Sequence, residues 1–213
     1  MIKKFTVTAL MAAFVAIAPL NIHAAEMTPV AAMPAGAYTL DKTHASLTWK
    51  VNHLGLSNYT ARFTDIDATI NFDPKDLTKS TLVATVDPTS VKTDYPDAKK
   101  KNFDAKLAEG KEWFNAKQFP KITFKSTKIE KTSETTGKIY GELTFLGVTK
   151  PLVLDATFNG AYAKKPFAPN DAAGLGFSAT GVVKRSLWGL GTYIPVVGDD
   201  VTVQIETEFH KAQ

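Results

Sequence analysis

The sequence predicts an all-β fold built from about eight antiparallel strands. Three observations lead to this prediction. Apolar and polar residues alternate along many short stretches, turn-forming pairs such as Asp73-Pro74 and Asn159-Gly160 separate these stretches, and a single short segment has the features of a helix. Strands with one apolar and one polar face are typical of antiparallel sheets, because helices cover both faces of parallel sheets.

The N-terminus has the features of a secretory signal peptide. Lys3 and Lys4 supply the positive charge, an uncharged and mostly apolar run covers residues 5–20, and small residues follow. The apolar run is shorter than the roughly 20 residues that span a bilayer, so a cleaved signal is expected rather than a membrane anchor.

Cleavage of this signal is expected after Ala24. A cut after Ala25 would place the bulky, polar His23 three residues before the cleavage point, where small residues are preferred. We therefore predict a signal peptide over 1–24, a single domain over 25–213, and a periplasmic location for the mature protein.

The composition limits the classes of function. The chain contains no cysteine, which excludes disulfides and thiolate metal sites. Half of the formal net charge of +4 comes from Lys3 and Lys4, so the mature chain is nearly neutral. Because nucleic-acid binders usually carry a strong basic patch, no nucleic-acid partner is expected. The lysines at 99–101 are either a solvated face or a surface attracted to anionic membranes or headgroups.

The stretch 201–209 shows the alternation most clearly. Apolar residues occupy nearly every odd position and polar residues the even positions, so this strand has one apolar face and one polar face. At Thr64-Asp65 the alternation changes phase, which predicts a β-bulge. The same pattern predicts strands within 47–53, 59–63, 66–72, 82–86, 122–124, 139–145, 152–158 and 177–183.

One short helix is predicted inside a long connection from Thr93 to Phe119. Asp104 is the candidate N-cap, Ala105–Glu109 would form the helix, and Gly110 would end it. The chain shows no internal repeat, no low-complexity tract and no linker rich enough to divide it into domains.

The alternation leaves two architectures open, a closed barrel and a two-sheet sandwich. Small residues recur on the apolar faces, and in an eight-stranded barrel they could leave a void for one small ligand. Alternatively, large neighbours such as Trp49 and Phe72 could fill that space. The small residues are Ala45, Ala68, Ala84, Gly141, Ala156, Ala179 and Gly181.

Several short motifs, in order and spacing, resemble the YceI-like family of periplasmic polyisoprenoid-binding proteins. The resemblance covers nearly the whole mature chain, and its most specific motif is Glu112–Thr127. The other motifs are Tyr38–Asp41, His44–Ser46, Val51–Gly55, Phe72–Pro74, Gly141–Lys150, Gly176–Ala179, Lys184–Leu190 and Val197–Val201.

This resemblance implies a lipocalin-like, eight-stranded antiparallel barrel with a short helical segment in one long connection. It also implies an elongated apolar cavity that binds an isoprenoid chain. That chain would be part of a polyprenyl phosphate or an isoprenoid quinone. On the predicted strands and near them, the expected lining residues of the cavity are Leu47, Trp49, Val51, Phe63, Phe72, Ala84, Phe124, Gly141, Leu143, Phe145, Phe177 and Trp188.

Three residues are candidates for contact with a ligand headgroup. Arg185 could bind a phosphate through two parallel hydrogen bonds, or it could pair with a carboxylate at the barrel rim. Lys150 offers a similar but less specific charge. His53 lies on an apolar face near a strand end, where it would either bond the polar end of a ligand or cap the core.

Catalytic and metal chemistry have little support in the sequence. His44 and His53 are nine residues apart on one predicted strand and therefore face opposite sides without a bulge. Ser46 lies close to His44, but no nucleophile-elbow motif accompanies it. Asp199-Asp200 is interpreted as a turn. We therefore predict no catalytic residue, no metal and no cofactor.

The expected function is periplasmic binding, transport or storage of a long-chain isoprenoid lipid. An alternative is an accessory role in membrane electron transfer, in which the protein carries an isoprenoid quinone. A secreted hydrolase or a haem protein is a third, less supported alternative. Transient contact with a membrane surface is compatible with these roles, and the oligomeric state, including a homodimer, stays open.

Overall fold

The described residues, 26–166 and 172–213 of this computed structural model, form a closed antiparallel β-barrel. The predicted signal peptide, 1–24, lies outside the described residues. Each strand segment pairs antiparallel with its neighbours, in the order β10-β9-β8-β7-β6-β4-β3-β1-β2-β5, and β10 also pairs with β1. The segments are β1 (Gly36–His53), β2 (Ser57–Phe63), β3 (Ile66–Phe72), β4 (Thr81–Val86), β5 (Val91–Lys92), β6 (Ile122–Lys131), β7 (Thr136–Phe145), β8 (Val148–Tyr162), β9 (Gly174–Lys184) and β10 (Val197–Lys211).

These ten segments of the described chain make eight strands around the barrel. β2 and β3 are successive parts of one strand, because both pair with the long strand β1. β4 and β5 are likewise successive partners of β3 and β2. The predicted all-β barrel of eight strands is therefore confirmed, and the sandwich alternative is wrong.

The phase change at Thr64-Asp65 marks the break between β2 and β3. On one side of the break Leu47 pairs with Phe63, and on the other side Thr39 pairs with Thr69, so the register shifts by two residues. The chain therefore bends between β2 and β3, and the residues on either side of the break, Phe63 and Ile66, both point into the barrel.

Tight turns of defined geometry connect the strands. Leu146 and Gly147 form the two-residue loop between β7 and β8, with φ of 50° and 74°. Positive φ at both positions is the signature of the type I′ turn, whose twist matches that of antiparallel strands. The turn between β1 and β2 also contains positive φ at Leu54 and Gly55.

The helix α1 (Phe103–Glu109) lies in the long connection between β5 and β6, as predicted. The predicted cap is wrong, because the Asn102 side chain accepts the hydrogen bond from the Ala105 backbone N–H at 3.0 Å. Asp104 instead accepts from the backbone N–H and the hydroxyl of Thr93, at 2.9 and 2.5 Å. These bonds tie the start of the helix to the end of β5.

The barrel has two distinct ends. The helical end carries α1, the β1–β2 turn at 54–56 and the segment 185–196; the opposite end carries the start of β1 and the end of β10. A separate group of buried apolar residues packs toward each end, with Leu107 in the first group and Tyr38 in the second. Among the described residues, no helix has the length and apolar character needed to cross a bilayer.

A bulge in β1 carries a polar cluster at the seam with β10. Leu40 pairs with Phe209 but Ala45 pairs with Thr207, so four residues of β1, Asp41 to His44, lie opposite the single residue Glu208 of β10. The Asp41 carboxylate accepts hydrogen bonds from His44 Nδ1 at 2.7 Å and from His210 Nε2 at 2.8 Å.

Two further residues complete this cluster. Thr43 donates its backbone N–H and its hydroxyl to Asp41, and Lys165 forms ion pairs with both Asp41 and Glu208. Burial alone would raise the pKa of Asp41, but the hydrogen bonds from Thr43, His44 and His210 outweigh it and hold the pKa well below its usual range. The cluster therefore stabilises the bulge where the barrel closes.

We predict that Asp41→Asn lowers the free energy of unfolding by about 2 kcal/mol at pH 7, because the donors around this half-buried carboxylate lose a charged acceptor. A carboxyl group with a lowered pKa in the folded state contributes stability above its ordinary pKa of 3.8, and this contribution is lost as the pH falls. The difference between variant and wild type should therefore narrow from pH 7 to pH 3. Urea denaturation at both values measures it.

The control is Asp65→Asn, because that carboxylate is 59% exposed and pairs with Lys42 on the surface. We expect a change within ~0.5 kcal/mol for this control. A loss for Asp41→Asn that equals the control, or that is the same at both pH values, would contradict the role of the cluster.

Candidate functional site

A cavity of about 650 Å³ lies inside the barrel. Its lining includes Tyr193 at the helical end and Thr135 in the β6–β7 turn at the opposite end, so it extends along the barrel axis. Aromatic and aliphatic side chains from the inward faces of the strands make up most of the wall. Pockets of about 300–1,000 Å³ with such walls are typical of small-molecule sites.

Most of the lining residues predicted from the sequence do line this cavity. Their side chains share the inward face of their strands, because each strand alternates inward and outward positions. The predicted residues in the lining are Leu47, Trp49, Val51, Phe63, Phe72, Ala84, Phe124, Leu143, Phe145 and Phe177.

Gly141 does not line the cavity, contrary to the prediction. A Cβ atom built at Gly141 would lie 2.4 Å from Cζ of Phe124 and 2.5 Å from the Lys125 carbonyl oxygen. The absence of a side chain therefore makes room for the Phe124 ring rather than for a ligand. The space at Gly181 is filled in the same way, by the Leu154 side chain at 2.7 Å.

Alanines rather than glycines leave the open volume. Ala68 and Ala84 face each other across β3 and β4, and both line the cavity. Ala156 and Ala179 form a similar pair across β8 and β9 and also line it. Two pairs of short side chains on different strands thus leave a volume that the surrounding rings do not fill.

Trp188 was also predicted to line the cavity, and this is wrong. Its side chain is 2% exposed and packs in the apolar group at the helical end. The indole N–H donates to the Leu143 carbonyl oxygen at 3.1 Å. Trp188 therefore fastens the 3₁₀ turn at 185–188 to β7 and contributes to the closure of the barrel.

Arg185 lines the cavity, and most of its guanidinium donors are engaged by backbone carbonyl oxygens. Its guanidinium donates to the carbonyl oxygens of Gly198 at 2.8 Å, Leu190 at 2.7 Å, and Thr192 and Val197 at 2.9 Å. These bonds engage four of the five N–H donors of the side chain. Burial lowers the pKa of the guanidinium, and nearby Asp199 partly offsets this effect. The guanidinium therefore holds the segment 190–198 in place, and its predicted headgroup role stays a prediction.

The other two headgroup candidates occupy different places. Lys150 lies exposed on β8 and does not line the cavity, so its predicted headgroup role is not supported. His53 ends β1, is exposed, and lines the cavity at the helical end. His44 belongs to the polar cluster in the β1 bulge instead, so the two histidines do not share a site.

Several lining residues at the helical end were not predicted as site residues. Tyr59 precedes Phe63 on the same inward face, and Phe103, Trp113 and Phe114 come from the long connection that crosses the barrel end. Phe114 contacts the ring of Phe63, with centroids 5.5 Å apart. The alternation of β2 could have identified Tyr59, but a residue of a connection gives no such periodic signal.

Polar groups of the cavity lie at both ends, and the buried ones without a partner lie at the helical end. The indole N–H groups of Trp49 and Trp113 are buried and make no hydrogen bond within the described residues, although both side chains line the cavity. Burial raises the pKa of the Tyr59 hydroxyl, and its neighbour Thr93 partly offsets this. A buried donor without a partner is costly, so an acceptor atom of a ligand would be favoured here.

One group of side chains outside the cavity has the chemistry of metal ligands. Donor atoms of Asp41, His44 and Glu208 lie within 4.8 Å of one another in the β1 bulge. The ammonium group of Lys165 pairs with both carboxylates, so it already supplies positive charge between them. This group is best described as an ion-pair cluster that joins β1, β10 and the β8–β9 connection.

Comparison with known proteins shows the family of this chain. The family model described as "YceI-like domain" matches residues 38–209, which is most of the chain. A curated relative, the UPF0312 protein of Pseudomonas fluorescens (strain SBW25), is 33% identical over 158 residues, covering 73% of this chain and 77% of the relative. The chain belongs to the YceI-like family, and the predicted family is confirmed.

Solved structures share the barrel. The YceI protein of Campylobacter jejuni is 33% identical, with a TM-score of 0.65 over 77% of this chain and 91% of that one. A polyisoprenoid binding domain from Saccharophagus degradans is 14% identical, with a TM-score of 0.57 over 83% of this chain and 99% of that one. At this lower identity the similarity shows the fold alone.

We predict that Arg185→Met lowers the free energy of unfolding by about 3 kcal/mol, because buried carbonyl oxygens of the segment 190–198 lose their donor. Lys150→Met is the control, and we expect a change within ~0.5 kcal/mol because the side chain is exposed. Urea denaturation followed by tryptophan fluorescence measures both. If Arg185→Met is as stable as the control, the guanidinium is not the structural centre of this segment.

Proposed function

We propose that this member of the YceI-like family binds a long-chain isoprenoid lipid inside its barrel and carries or stores it in the periplasm, without catalysis. The observation that carries the proposal is the apolar cavity that extends along the barrel axis. Its shape suits an elongated hydrocarbon chain, and its wall offers apolar contacts from nearly every strand.

The apolar wall is sufficient to bind such a chain. Each buried CH₂ group contributes about 0.8 kcal/mol, so one five-carbon isoprene unit contributes roughly 3–4 kcal/mol before the cost of ordering the chain. Several units would give tight binding without any strong polar contact. Closely packed aromatic rings at the helical end, such as Phe114 and Phe145 with centroids 6.0 Å apart, add rigid apolar surface.

Three further observations support the proposal. The similar domain from Saccharophagus degradans is described as polyisoprenoid binding. The features of the N-terminus support export to the periplasm. The sequence candidates for catalysis lie elsewhere, since Ser46 is exposed and His44 belongs to the ion-pair cluster outside the cavity.

The headgroup is proposed to lie at the helical end. The free indole N–H groups of Trp49 and Trp113 would donate to an oxygen of the headgroup. Lys101 and Lys106 also line the cavity at this end and are exposed, so they would pair with a phosphate. A quinone would use the indole donors alone. Both a polyprenyl phosphate and an isoprenoid quinone therefore fit.

The indole donors favour the quinone as a second candidate ligand. A neutral carbonyl satisfies a buried N–H group without bringing a charge into the apolar cavity. With this ligand the protein would serve membrane electron transfer as a quinone carrier.

We predict that Ala84→Phe abolishes lipid binding and leaves the barrel folded. Ala84 lines the cavity opposite Ala68, so a phenyl ring there would occupy the volume of the chain. The matched control is Val83→Phe, which adds the same ring to the outer face of the same strand, where Val83 is 44% exposed. Gentle purification, lipid extraction and mass spectrometry measure the bound lipid.

The wild type and Val83→Phe should retain an isoprenoid, whereas Ala84→Phe should lose at least about nine tenths of it. The headgroup of the extracted lipid distinguishes the polyprenyl phosphate from the quinone. Circular dichroism and the urea midpoint show whether the variant is folded. Equal lipid content in the two variants, or no isoprenoid in the wild type after it has been offered one, would contradict the proposal.

A further inference from the structure

We propose that the helical end of the barrel docks on the surface of a lipid bilayer that contains anionic headgroups. In this arrangement exposed apolar side chains insert among the lipids, lysines contact the headgroups, and the cavity opens toward the membrane. The inference rests on the proposed lipid-carrier function and adds to it the surface through which the lipid would be exchanged.

Exposed apolar side chains gather on two adjoining turns at this end. Leu54 is 53% exposed and Leu56 is 83% exposed in the β1–β2 turn, while Tyr193 and Val196 are 61% and 53% exposed in the neighbouring segment. The two turns are in contact, because the backbone N–H of Leu54 donates to the Val196 carbonyl oxygen at 2.9 Å. We name these four residues the apolar rim. Single exposed apolar residues are ordinary, but a contiguous group suggests an interaction surface.

The fold holds the apolar rim outward. Arg185 binds the carbonyl oxygens of Thr192 and Val197, which flank the exposed residues of this segment. On the other turn, Asn52 accepts a hydrogen bond from the Gly55 backbone N–H at 2.9 Å. The turns are therefore fixed by polar contacts at their bases, and their apolar side chains are presented to the surroundings without needing to be ordered on binding.

The apolar rim is continuous with the cavity. Tyr193 belongs to both, and its ring contacts that of Trp113, with centroids 6.1 Å apart. His53, which lines the cavity, directly precedes Leu54. A hydrocarbon chain that moves between a bilayer and the cavity at this end would therefore keep apolar contacts along its path, which lowers the cost of transfer through water.

Positive charge surrounds this opening. Between residues 99 and 117 six lysines outnumber three carboxylates. Asp104 pairs with Lys92, and Lys100 pairs with Asp97 just before this stretch. Within the described residues Lys101 and Lys106 form no ion pair, and Lys101 Nζ lies over the rings of Tyr95 and Phe103, 5.4 and 5.3 Å from their centroids. Lysines beside exposed apolar and aromatic side chains are typical of surfaces that bind anionic membranes.

The opposite end of the barrel lacks this combination in its described residues. The exposed lining there comes from the polar β6–β7 turn and its flank, including Lys131, Glu134 and Thr135, so its charges are mixed. A carboxylate at the opening would be repelled by anionic headgroups. The charge and the apolar surface therefore both select the helical end as the side that faces the membrane.

The test measures binding of the purified protein to vesicles by sedimentation. We expect binding to vesicles of phosphatidylglycerol and phosphatidylcholine, much weaker binding to phosphatidylcholine alone, and weakening at high salt. The double variant Leu54→Asn/Leu56→Ser should bind the anionic vesicles at least about fivefold more weakly, because it removes two of the four side chains of the apolar rim. Asparagine is chosen at position 54 because it tolerates the positive φ of 58° found there.

The matched control is Val153→Ser/Val182→Ser, which removes two exposed apolar side chains of β8 and β9, 38% and 53% exposed, that flank the Leu154–Gly181 pair on the barrel wall. It should bind vesicles as the wild type does. Equal vesicle binding by the two double variants, or binding unaffected by phosphatidylglycerol, would overturn the proposed docking surface. A normal urea midpoint for each variant confirms that the fold is kept.

A second measurement separates this inference from the proposed function. A fluorescent isoprenoid dispersed in water without vesicles reports loading of the cavity alone, and Leu54→Asn/Leu56→Ser should load it as the wild type does. Transfer of the same probe out of anionic vesicles should be slowed at least about fivefold in that variant. Failure of the wild type to load the dispersed probe contradicts the lipid-binding function, whereas normal loading with unchanged vesicle transfer contradicts only the docking surface.

Discussion

The antiparallel pairing of β1 with β10 is the constraint on which the rest of the structure depends. Without it, the sheet would have two exposed edges and no enclosed interior. With it, eight strands close into a cylinder whose width is set by the number of strands and their stagger. The ion-pair cluster around Asp41 sits on this seam, so the residues that accommodate the bulge also stabilise the closure.

Because the sheet closes, the alternation of side chains along each strand separates the interior of the barrel from its outer surface. Inward positions near each end carry bulky side chains that pack together, such as Leu107 with its neighbours at the helical end and Tyr38 with Phe72 at the other. Between the ends, alanine pairs across neighbouring strands leave volume that the rings do not reach. The same chain thus builds a packed core and an apolar cavity, and the polar groups of the cavity lie at its two ends.

The sequence predicted much of this arrangement, because a two-residue period reports directly which side chains face inward. It could not show what fills the space beside a small residue, since that depends on the neighbour across the strand. Gly141 is covered by Phe124 and so leaves no void, whereas Ala84 does line one. The choice between barrel and sandwich came from the family resemblance, since both have the same alternation. Contacts such as that of Asp41 with His210 join residues with no local signal between them.

The long connection between β5 and β6 affects how the cavity can open at the helical end. From 93 to 121 it contributes no strand, and it crosses the helical end with α1 held by the bonds of Asp104 to Thr93. Because it belongs to no strand, displacing it would break few ladder hydrogen bonds of the wall, but it would expose buried side chains such as Leu107 and Phe114. Local opening of such a segment requires less free energy than global unfolding. Substitutions at its buried positions would therefore change the packing of the barrel end together with access to the cavity.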